Sequence, residues 1–276
     1  MKIAGFILVS IVITAFFLPT DTVGQNKVLL EQYTGTWCGW CPYGHDILKG
    51  MEEYYDDDLI VLVYHSRDEL ATETGNELIG FVKPFYPAAS IDRHNYPDTD
   101  KFFLGRNDWQ RTVTYRMGAE TPLNISLEGS RYDETSREVT INVSLLSGSD
   151  DENLRINVVL TEDHIKSAQK IYGKPYTEIE DFYHSNVVRD MVTGAFGAPF
   201  TYGKKVIQEE NREKRQREIT EYSYSAAYKV KIDPGITAEH AGIVVFVHED
   251  TGEGYGPVVQ AAHISVADIM ASSEER

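Results

Sequence analysis

Residues 27–42 read KVLLEQYTGTWCGWCP and place two cysteines directly after a predicted strand. The first seven residues are rich in strand formers, and the Thr-Gly-Thr sequence that follows them is typical of a turn. After this stretch, apolar residues recur with helical spacing over residues 47–55, and residues 59–64 form the continuous apolar run of a buried parallel strand. The segment therefore predicts a strand–helix–strand unit with Cys38 and Cys41 at the start of its helix.

These two cysteines are the only ones in the 276-residue sequence. A bridge across three residues closes too short a loop to stabilise a chain of this length much. A zinc site would need two more soft ligands, and the eight histidines are scattered. Redox chemistry explains the pair better, because a helix N-terminus stabilises a thiolate. We therefore expect Cys38 to be a solvent-accessible nucleophile and Cys41 to be the buried resolving thiol.

The sequence from Trp37 to Cys41 resembles the Trp-Cys-x-x-Cys box of the thioredoxin superfamily, which also follows a strand and opens a helix. The resemblance implies a cis-proline opposite the cysteines, and Tyr86-Pro87 precedes a strand-like stretch at a fitting distance. It also implies a substrate groove, for which the candidate residues are Trp37, Gly39, Trp40, Tyr86 and Pro87. No metal and no cofactor is expected beyond the redox-active disulfide Cys38–Cys41.

Two departures from that superfamily affect the expected mechanism. Many thioredoxins have a buried acid six residues before the first cysteine, and this position is the neutral Gln32, whereas Glu31 faces the other side of the strand. Proton transfer from Cys41 then depends on water or on another group. The Gly39-Trp40 pair also differs from the Gly-Pro of a strong reductant, so the direction of electron flow stays open.

Residues 1–24 have the features of a signal peptide: one lysine, an apolar run from Ile3 to Leu18, and small residues at Thr22 and Gly24. The alternative is an uncleaved membrane anchor, for which the apolar run is short. The full chain has 43 acidic and 26 basic residues and a net charge of -17. Such a charge repels phosphate, so nucleic acid is not an expected partner. The sequence predicts an exported protein.

The hydrophobic pattern changes between Gly118 and Pro122. A helix is predicted from Asn107 to Gly118, and after Pro122 apolar and polar residues alternate strictly through several segments. We therefore predict a signal peptide (1–24), an α/β thioredoxin-like domain (25–118) and a separate all-β domain (119–276), a β-sandwich of immunoglobulin-like or jelly-roll-like type. The span from His164 to Tyr202 breaks the alternation and is interpreted as a structured loop over one end of the sandwich.

The stretch from Leu29 to Gly44, the later Tyr-Pro and the sequence from His184 to Arg189 are similar to Omp28-related outer membrane proteins of Bacteroidetes. This resemblance implies an envelope or surface protein with a thioredoxin-like domain and an all-β domain, in the periplasm, on the outer membrane surface or secreted. Peripheral association with the outer membrane fits that expectation. The resemblance implies no defined substrate.

Two functions follow from these patterns. The first is a thiol–disulfide oxidoreductase that acts on the thiols or disulfides of exported proteins and exchanges electrons with a redox partner protein. The second is a surface or adhesion protein in which the β-domain binds a partner and the thioredoxin-like unit is not catalytic. Both cysteines, Trp37 and Pro87 favour the first function, and the large β-domain without a catalytic constellation favours the second.

Overall fold

A computed structural model describes residues 24–95, 101–173, 177–210 and 216–274. The predicted signal peptide lies outside these residues apart from Gly24. The helices are α1 (Cys41–Tyr55), α2 (Glu73–Val82), α3 (Trp109–Met117) and α4 (Val266–Glu274). The strands are β1 (Gly24–Gln25), β2 (Val28–Thr34), β3 (Leu59–His65), β4 (Ala88–Ile91), β5 (Glu120–Thr121), β6 (Leu123–Ser126), β7 (Arg131–Asp133), β8 (Glu138–Ser147), β9 (Leu154–Glu162), β10 (Ile165–Ile171), β11 (Thr177–His184), β12 (Val187–Met191), β13 (Ala198–Pro199), β14 (Gly203–Glu210), β15 (Gln216–Lys231), β16 (Ala241–Glu249) and β17 (Val258–Ser265).

The predicted strand–helix–strand unit is present as β2, α1 and β3. Strands β2 and β3 pair in parallel, and β4 pairs antiparallel with the other edge of β2. Every residue of β2 and β3 is buried, as expected for strands covered on both faces. Helix α1 packs Leu48 and Met51 onto one face of these strands, together with Trp109 and Val113 of α3.

The strands of the second half do not form a separate sandwich. An eight-stranded sheet has the order β17-β16-β9-β12-β3-β2-β4, with β13 also paired to β9. Strand β12 joins the two halves, because it pairs in parallel with β3 through Val187 and Val63 and antiparallel with β9. A second, five-stranded sheet contains β14, β15, β8, β6 and β7. The alternating segments are strands, as predicted. The predicted division into two domains at residue 118 is wrong, because strands from both sides of that residue belong to one sheet.

The cores show the same continuity. One cluster of buried apolar side chains lies between the two sheets and contains Ile141 and Val143 of the small sheet with Val158 and Ile243 of the large one. A second cluster combines both halves of the sequence, placing Leu62 and Tyr64 beside residues such as Phe246. The physical reason is that β3 would otherwise expose an unpaired apolar edge, which β12 covers.

A buried ion pair reinforces this junction. Arg93 donates from Nε and Nη2 to the two carboxylate oxygens of Glu31 at 2.7 and 2.8 Å, and the hydroxyls of Tyr64 and Ser90 donate to the same carboxylate. The Arg93 guanidinium also lies 4.1 Å from the ring centroid of Tyr255, which follows β16 in the chain. Glu31 thus faces away from the side of β2 on which Gln32 lies.

The predicted loop from His164 to Tyr202 consists mainly of strands instead. Strands β10 and β11 form a separate two-stranded hairpin, and β12 and β13 join the large sheet.

None of the helices in the described ranges is long and apolar enough to cross a membrane.

Candidate functional site

The two cysteines form a disulfide at the turn between β2 and α1. Their Cα atoms are 5.4 Å apart, and the backbone N–H of Cys41 donates to the carbonyl of Cys38. Helix α1 begins at Cys41, so Cys38 lies just before its first turn. Cys38 is only 5% exposed and Cys41 only 2%. The expectation that Cys38 is solvent accessible is therefore wrong for this disulfide-bonded state.

The hairpin β10–β11 is the cause of this burial. The backbone N–H of Lys170 donates to the carbonyl of Thr36, and that of Tyr172 donates to the carbonyl of Gly39, both at 2.8 Å. The Tyr172 ring packs edge-on against Trp40, and a Cβ on Gly39 would lie 2.7 Å from this ring. The hairpin is thus hydrogen-bonded along the cysteine turn from one side.

Gln169 holds the hairpin and the turn together from the inside. Its side chain is buried, and its Nε2 lies 3.1 Å from the carbonyl oxygens of both Thr36 and Cys38. The hydroxyl of Tyr43, in the first turn of α1, also donates to the Tyr172 carbonyl at 2.7 Å. The polar backbone of the turn is therefore satisfied by the hairpin.

An open groove lies beside the turn, near Pro87. Its volume is about 310 Å³, and its walls are Trp40, Phe85, Tyr86, Pro87, Gly105, Arg106, Asn107 and Asp108. The Tyr86–Pro87 bond is cis, as expected. Of the predicted groove residues, Trp40, Tyr86 and Pro87 line it, Trp37 packs against Tyr86 with ring centroids 5.1 Å apart, and Gly39 lies under Tyr172 instead. The Arg106 guanidinium lies 5.3 Å from the Trp40 ring, and Asp108 lies on the same groove wall.

A small cavity of about 10 Å³ is lined in part by Cys41. Its walls are Gln32, Thr34, Cys41, His45, Val63, His65, Gln169, Phe182, His184 and Ser185. The Nε2 atoms of His65 and His184 are buried without a hydrogen-bond partner within the described residues. The two imidazole rings lie 5.0 Å apart. Gln32 is thus on the same wall as Cys41, together with three histidines.

Asp68 orients His65. Its Oδ2 lies 2.8 Å from Nδ1 of His65 and accepts a hydrogen bond from the backbone N–H of Thr36. Its Oδ1 accepts a hydrogen bond from the backbone N–H of Leu70. Burial acts to raise the pKa of Asp68, but the hydrogen bond and charge of His65 together with these N–H groups outweigh it, so the pKa lies below its usual value. Asp68 is therefore a carboxylate at neutral pH, and Nδ1 of His65 carries the proton that it accepts.

The other two histidines are less basic than usual. Burial, followed by the nearby His65 and His45, lowers the pKa of His184 to about 3. Burial also lowers the pKa of His45, whose ring packs against Phe182. Both rings are therefore neutral at pH 7.

None of Gln169, Tyr172, His65, Asp68 and His184 was predicted as a site residue. Only His65 had a usable indication, because it ends a predicted parallel strand next to β2, and the carboxyl ends of parallel strands meet at one edge of a sheet. The hairpin residues lie more than a hundred positions from the cysteines. Among the described residues, no group of three or more His, Cys, Asp or Glu is arranged to hold a metal ion.

Comparisons with known proteins place this chain in a family. The model of the family described as "Outer membrane protein Omp28" matches residues 83–266, which is more than half of the chain. The chain belongs to the Omp28 family. No curated protein sequence is similar enough to this Omp28-family chain to count as a relative.

Solved structures resemble this Omp28-family member at low sequence identity. HBP35 of Porphyromonas gingivalis is 15% identical, with a TM-score of 0.65 over 89% of this chain and 77% of its own. A protein from Agrobacterium tumefaciens, solved by a structural genomics consortium, is also 15% identical, with a TM-score of 0.50 over 87% of this chain and 95% of its own. A domain of the outer membrane lipoprotein Omp28 from P. gingivalis is 17% identical over 52% of this chain and 88% of its own, with a TM-score of 0.28. At this identity the first two likenesses concern the fold alone.

Proposed function

We propose that this Omp28-family protein is an exported thiol–disulfide oxidoreductase of the cell envelope, in which Cys38 and Cys41 exchange electrons with the thiols or disulfides of other exported proteins. The observation that carries the proposal is the Cys38–Cys41 disulfide itself, placed where a strand passes into a helix and beside the groove of Trp40 and Pro87. A bridge that closes so short a loop adds little stability, so its chemistry is the better explanation.

The surrounding strands support a thioredoxin-like reading of this unit. The order β3-β2-β4, with a parallel pair joined through α1 and an antiparallel third strand that starts after Pro87, has the arrangement that the Trp37–Cys41 box implies. The apolar cluster between the two sheets supports a sandwich-like packing of the remaining strands. Strand β12 makes the two parts one structure.

The exchange proceeds in two steps. With both cysteines reduced, the Cys38 thiolate attacks one sulfur of a substrate disulfide, forms a mixed disulfide and releases the other substrate sulfur as a thiolate. The Cys41 thiol then loses its proton and attacks Cys38, which re-forms Cys38–Cys41 and releases the second substrate thiolate. Two electrons pass from the cysteine pair to the substrate, and the reverse sequence oxidises a dithiol.

Substrate access requires movement of the hairpin β10–β11, because the closed arrangement buries Cys38. The groove with Arg106 and its aromatic walls is the side from which an extended polypeptide reaches the turn. No cofactor other than the disulfide takes part in this proposal. The proposed function also includes a redox partner protein and a location in the cell envelope.

The test is a trapping experiment on the full mature chain. Cys41→Ser should accumulate mixed disulfides with exported proteins, because Cys38 still attacks and nothing resolves the product. Cys38→Ser should accumulate far fewer, since Cys41 lies on the inner side of the turn. The wild type should reduce insulin or refold a reduced substrate, and its reduction potential would assign the direction. Equal trapping by both variants contradicts the assigned roles.

The burial of Cys38 favours a second function, in which this chain binds a partner at the cell surface and the disulfide is not catalytic. That function predicts an inactive wild type in both insulin reduction and oxidative refolding, and no trapping by either cysteine variant. It also predicts that the double variant Cys38→Ser/Cys41→Ser keeps partner binding unchanged.

A further inference from the structure

We propose that His65, oriented by Asp68, is the group that takes the proton from Cys41 when this thiol resolves a mixed disulfide, and that returns it in the reverse step. The proposal rests on the proposed redox function and assigns a role that the neutral Gln32 cannot fill. Gln32 lies on the same cavity wall, but an amide has no titratable proton in this pH range. The chain therefore needs another base near Cys41.

The geometry of His65 fits that role. The Asp68 carboxylate can only accept a hydrogen bond, so Nδ1 of His65 carries the hydrogen between them at 2.8 Å. In that tautomer, Nε2 has a free lone pair, and this atom is buried without a partner within the described residues. His65 and Cys41 share the walls of the same 10 Å³ cavity. A space of that size has room for about one water molecule, which can carry a proton between them.

The Asp68 carboxylate lies directly behind the imidazole of His65. When Nε2 accepts the proton, Asp68 stabilises the positive charge that forms on the ring. His184 lacks such a carboxylate, and burial with two nearby histidines keeps it neutral. The titratable groups that face the cavity are His45 from α1, His65 from β3 and His184 from β11, with Asp68 behind His65.

The proton and electron balance is complete. Before the step, Cys38 is joined to a substrate sulfur and Cys41 is a thiol. The proton of Cys41 moves to Nε2 of His65, the Cys41 sulfur attacks that of Cys38, and the bond to the substrate sulfur breaks. The substrate leaves as a thiolate, which takes a proton from solvent or from the His65 imidazolium. We call this transfer of a proton between Cys41 and His65 the relay. The backbone N–H of Thr36 donates to Asp68 at 2.8 Å and so connects the relay to the cysteine turn.

The kinetic test follows the closing of a mixed disulfide with a small probe. The reduced full chain is mixed with oxidised glutathione, quenched in acid, and analysed by mass spectrometry for the glutathione adduct and for the closed disulfide. Asp68→Asn and His65→Gln should slow closing of the adduct at pH 7 by about 100-fold, at the lower end of the range for general base catalysis. The difference should shrink to about twofold at pH 9.5, where a thiol ionises unaided. His240→Gln, at an exposed position, is the matched control and should close like the wild type.

A spectroscopic test needs neither a substrate nor a His65 variant. In the reduced wild type, the ring NMR signals of His65 are followed as a function of pH. In Cys41→Ser, the His65 titration should move by about half a pH unit or more, because the coupled thiol is gone. A merely structural His65 would titrate identically in both proteins.

The outcomes separate this inference from the proposed function. If protein substrates are not processed but glutathione adducts close with the His65-dependent pH profile, the relay stands and the proposed function fails. If protein substrates are processed while His65→Gln has the wild-type pH profile, the relay is overturned and the function stands. If His65→Gln does not fold, an unchanged His65 titration in Cys41→Ser overturns the relay by itself.

Discussion

The backbone N–H of Tyr172 donates to the carbonyl of Gly39 at 2.8 Å, between the two cysteines of the disulfide. A segment from the second half of the chain therefore completes the hydrogen bonding of the cysteine turn. The same contact brings the Tyr172 ring onto Trp40 and leaves Cys38 almost without solvent contact. Reactivity at the disulfide is consequently tied to the position of the hairpin β10–β11.

Removal of the Gln169 side chain should make the disulfide more reactive. Its amide lies within 3.1 Å of the Thr36 and Cys38 carbonyl oxygens, and net hydrogen bonds of this kind contribute about 1 kcal/mol each. We expect Gln169→Ala to accelerate reduction of Cys38–Cys41 by dithiothreitol by on the order of tenfold. Lys166→Ala, at the exposed side of the same strand, is the control. An unchanged rate in Gln169→Ala would mean that the hairpin does not limit access.

The shared sheet predicts a single unfolding transition. The three tryptophans, Trp37, Trp40 and Trp109, all lie in the first half, so their fluorescence reports mainly on that half, with Trp40 also in contact with Tyr172. Circular dichroism reports on strands of both halves. We expect the two probes to give the same midpoint in urea, and Val158→Ala, in the core between the sheets, to lower both midpoints equally, at a cost of about 1–3 kcal/mol.

The control for that experiment is Val206→Ala, because Val206 is half exposed on β14. It should leave both midpoints in place. Two separated transitions, or a Val158→Ala effect seen only by circular dichroism, would contradict a common folding unit.

Loss of the buried arginine should cost far more than loss of an exposed one. Arg93→Met leaves the Glu31 carboxylate buried without its partner, and we expect the free energy of unfolding to fall by about 3–5 kcal/mol. Arg111→Met removes an exposed arginine that pairs with Asp108, and should change stability little. The double variant Arg93→Met/Glu31→Gln should recover part of the loss, since the unpaired charge is gone. A loss in Arg93→Met as small as that in Arg111→Met would show that the pair is not desolvated as described.

Acid should weaken the protein through its buried histidines. The pKa of His184 is lowered to about 3 in the folded chain, chiefly by burial, so the unfolded chain binds a proton below pH 6.5 that the folded chain does not. Its contribution is fully present above pH 6.5 and is lost as the pH falls toward 3. His184→Gln should therefore lose about 2–3 kcal/mol less than the wild type between pH 7 and 4, measured by urea unfolding.

Other buried histidines set the background for this measurement, since burial also lowers the pKa values of His45 and His263. Burial lowers the pKa values of His94 and His248 to about 4, so His184→Gln should keep part of the acid sensitivity. His240→Gln, at an exposed position, should follow the wild-type curve at every pH. A His184→Gln curve parallel to that of the wild type would rule out His184 as a source of the acid sensitivity.

Local patterns were enough to predict the elements that carry the cysteines. Strand formers before Thr34, helical spacing after Pro42 and the apolar run at 59–64 depend on neighbours in sequence, and β2, α1 and β3 form there. Helix α3 spans Trp109–Met117, inside the predicted range from Asn107 to Gly118. The Tyr86–Pro87 bond is cis as the superfamily resemblance implied.

Pairing between distant segments was not predictable in the same way. Alternation identified β8 and β9 as strands, but it does not specify which sheet a strand joins. The hairpin β10–β11 has weakly apolar faces because it packs on the cysteine turn through backbone and polar contacts, so its pattern resembled a loop. The burial of Cys38 follows from that hairpin, and the expected accessibility was wrong for this reason.

Strand β12 also affects how this protein can evolve. It is hydrogen-bonded in parallel to β3 on one side and antiparallel to β9 on the other, so each half of the gene encodes the edge that the other half must match. A recombination event that replaced either half would leave Val63 facing a foreign strand. We therefore expect substitutions where β12 pairs with β3 and β9 to be inherited in compensating pairs. We also expect the two halves of the sequence to share one phylogenetic history.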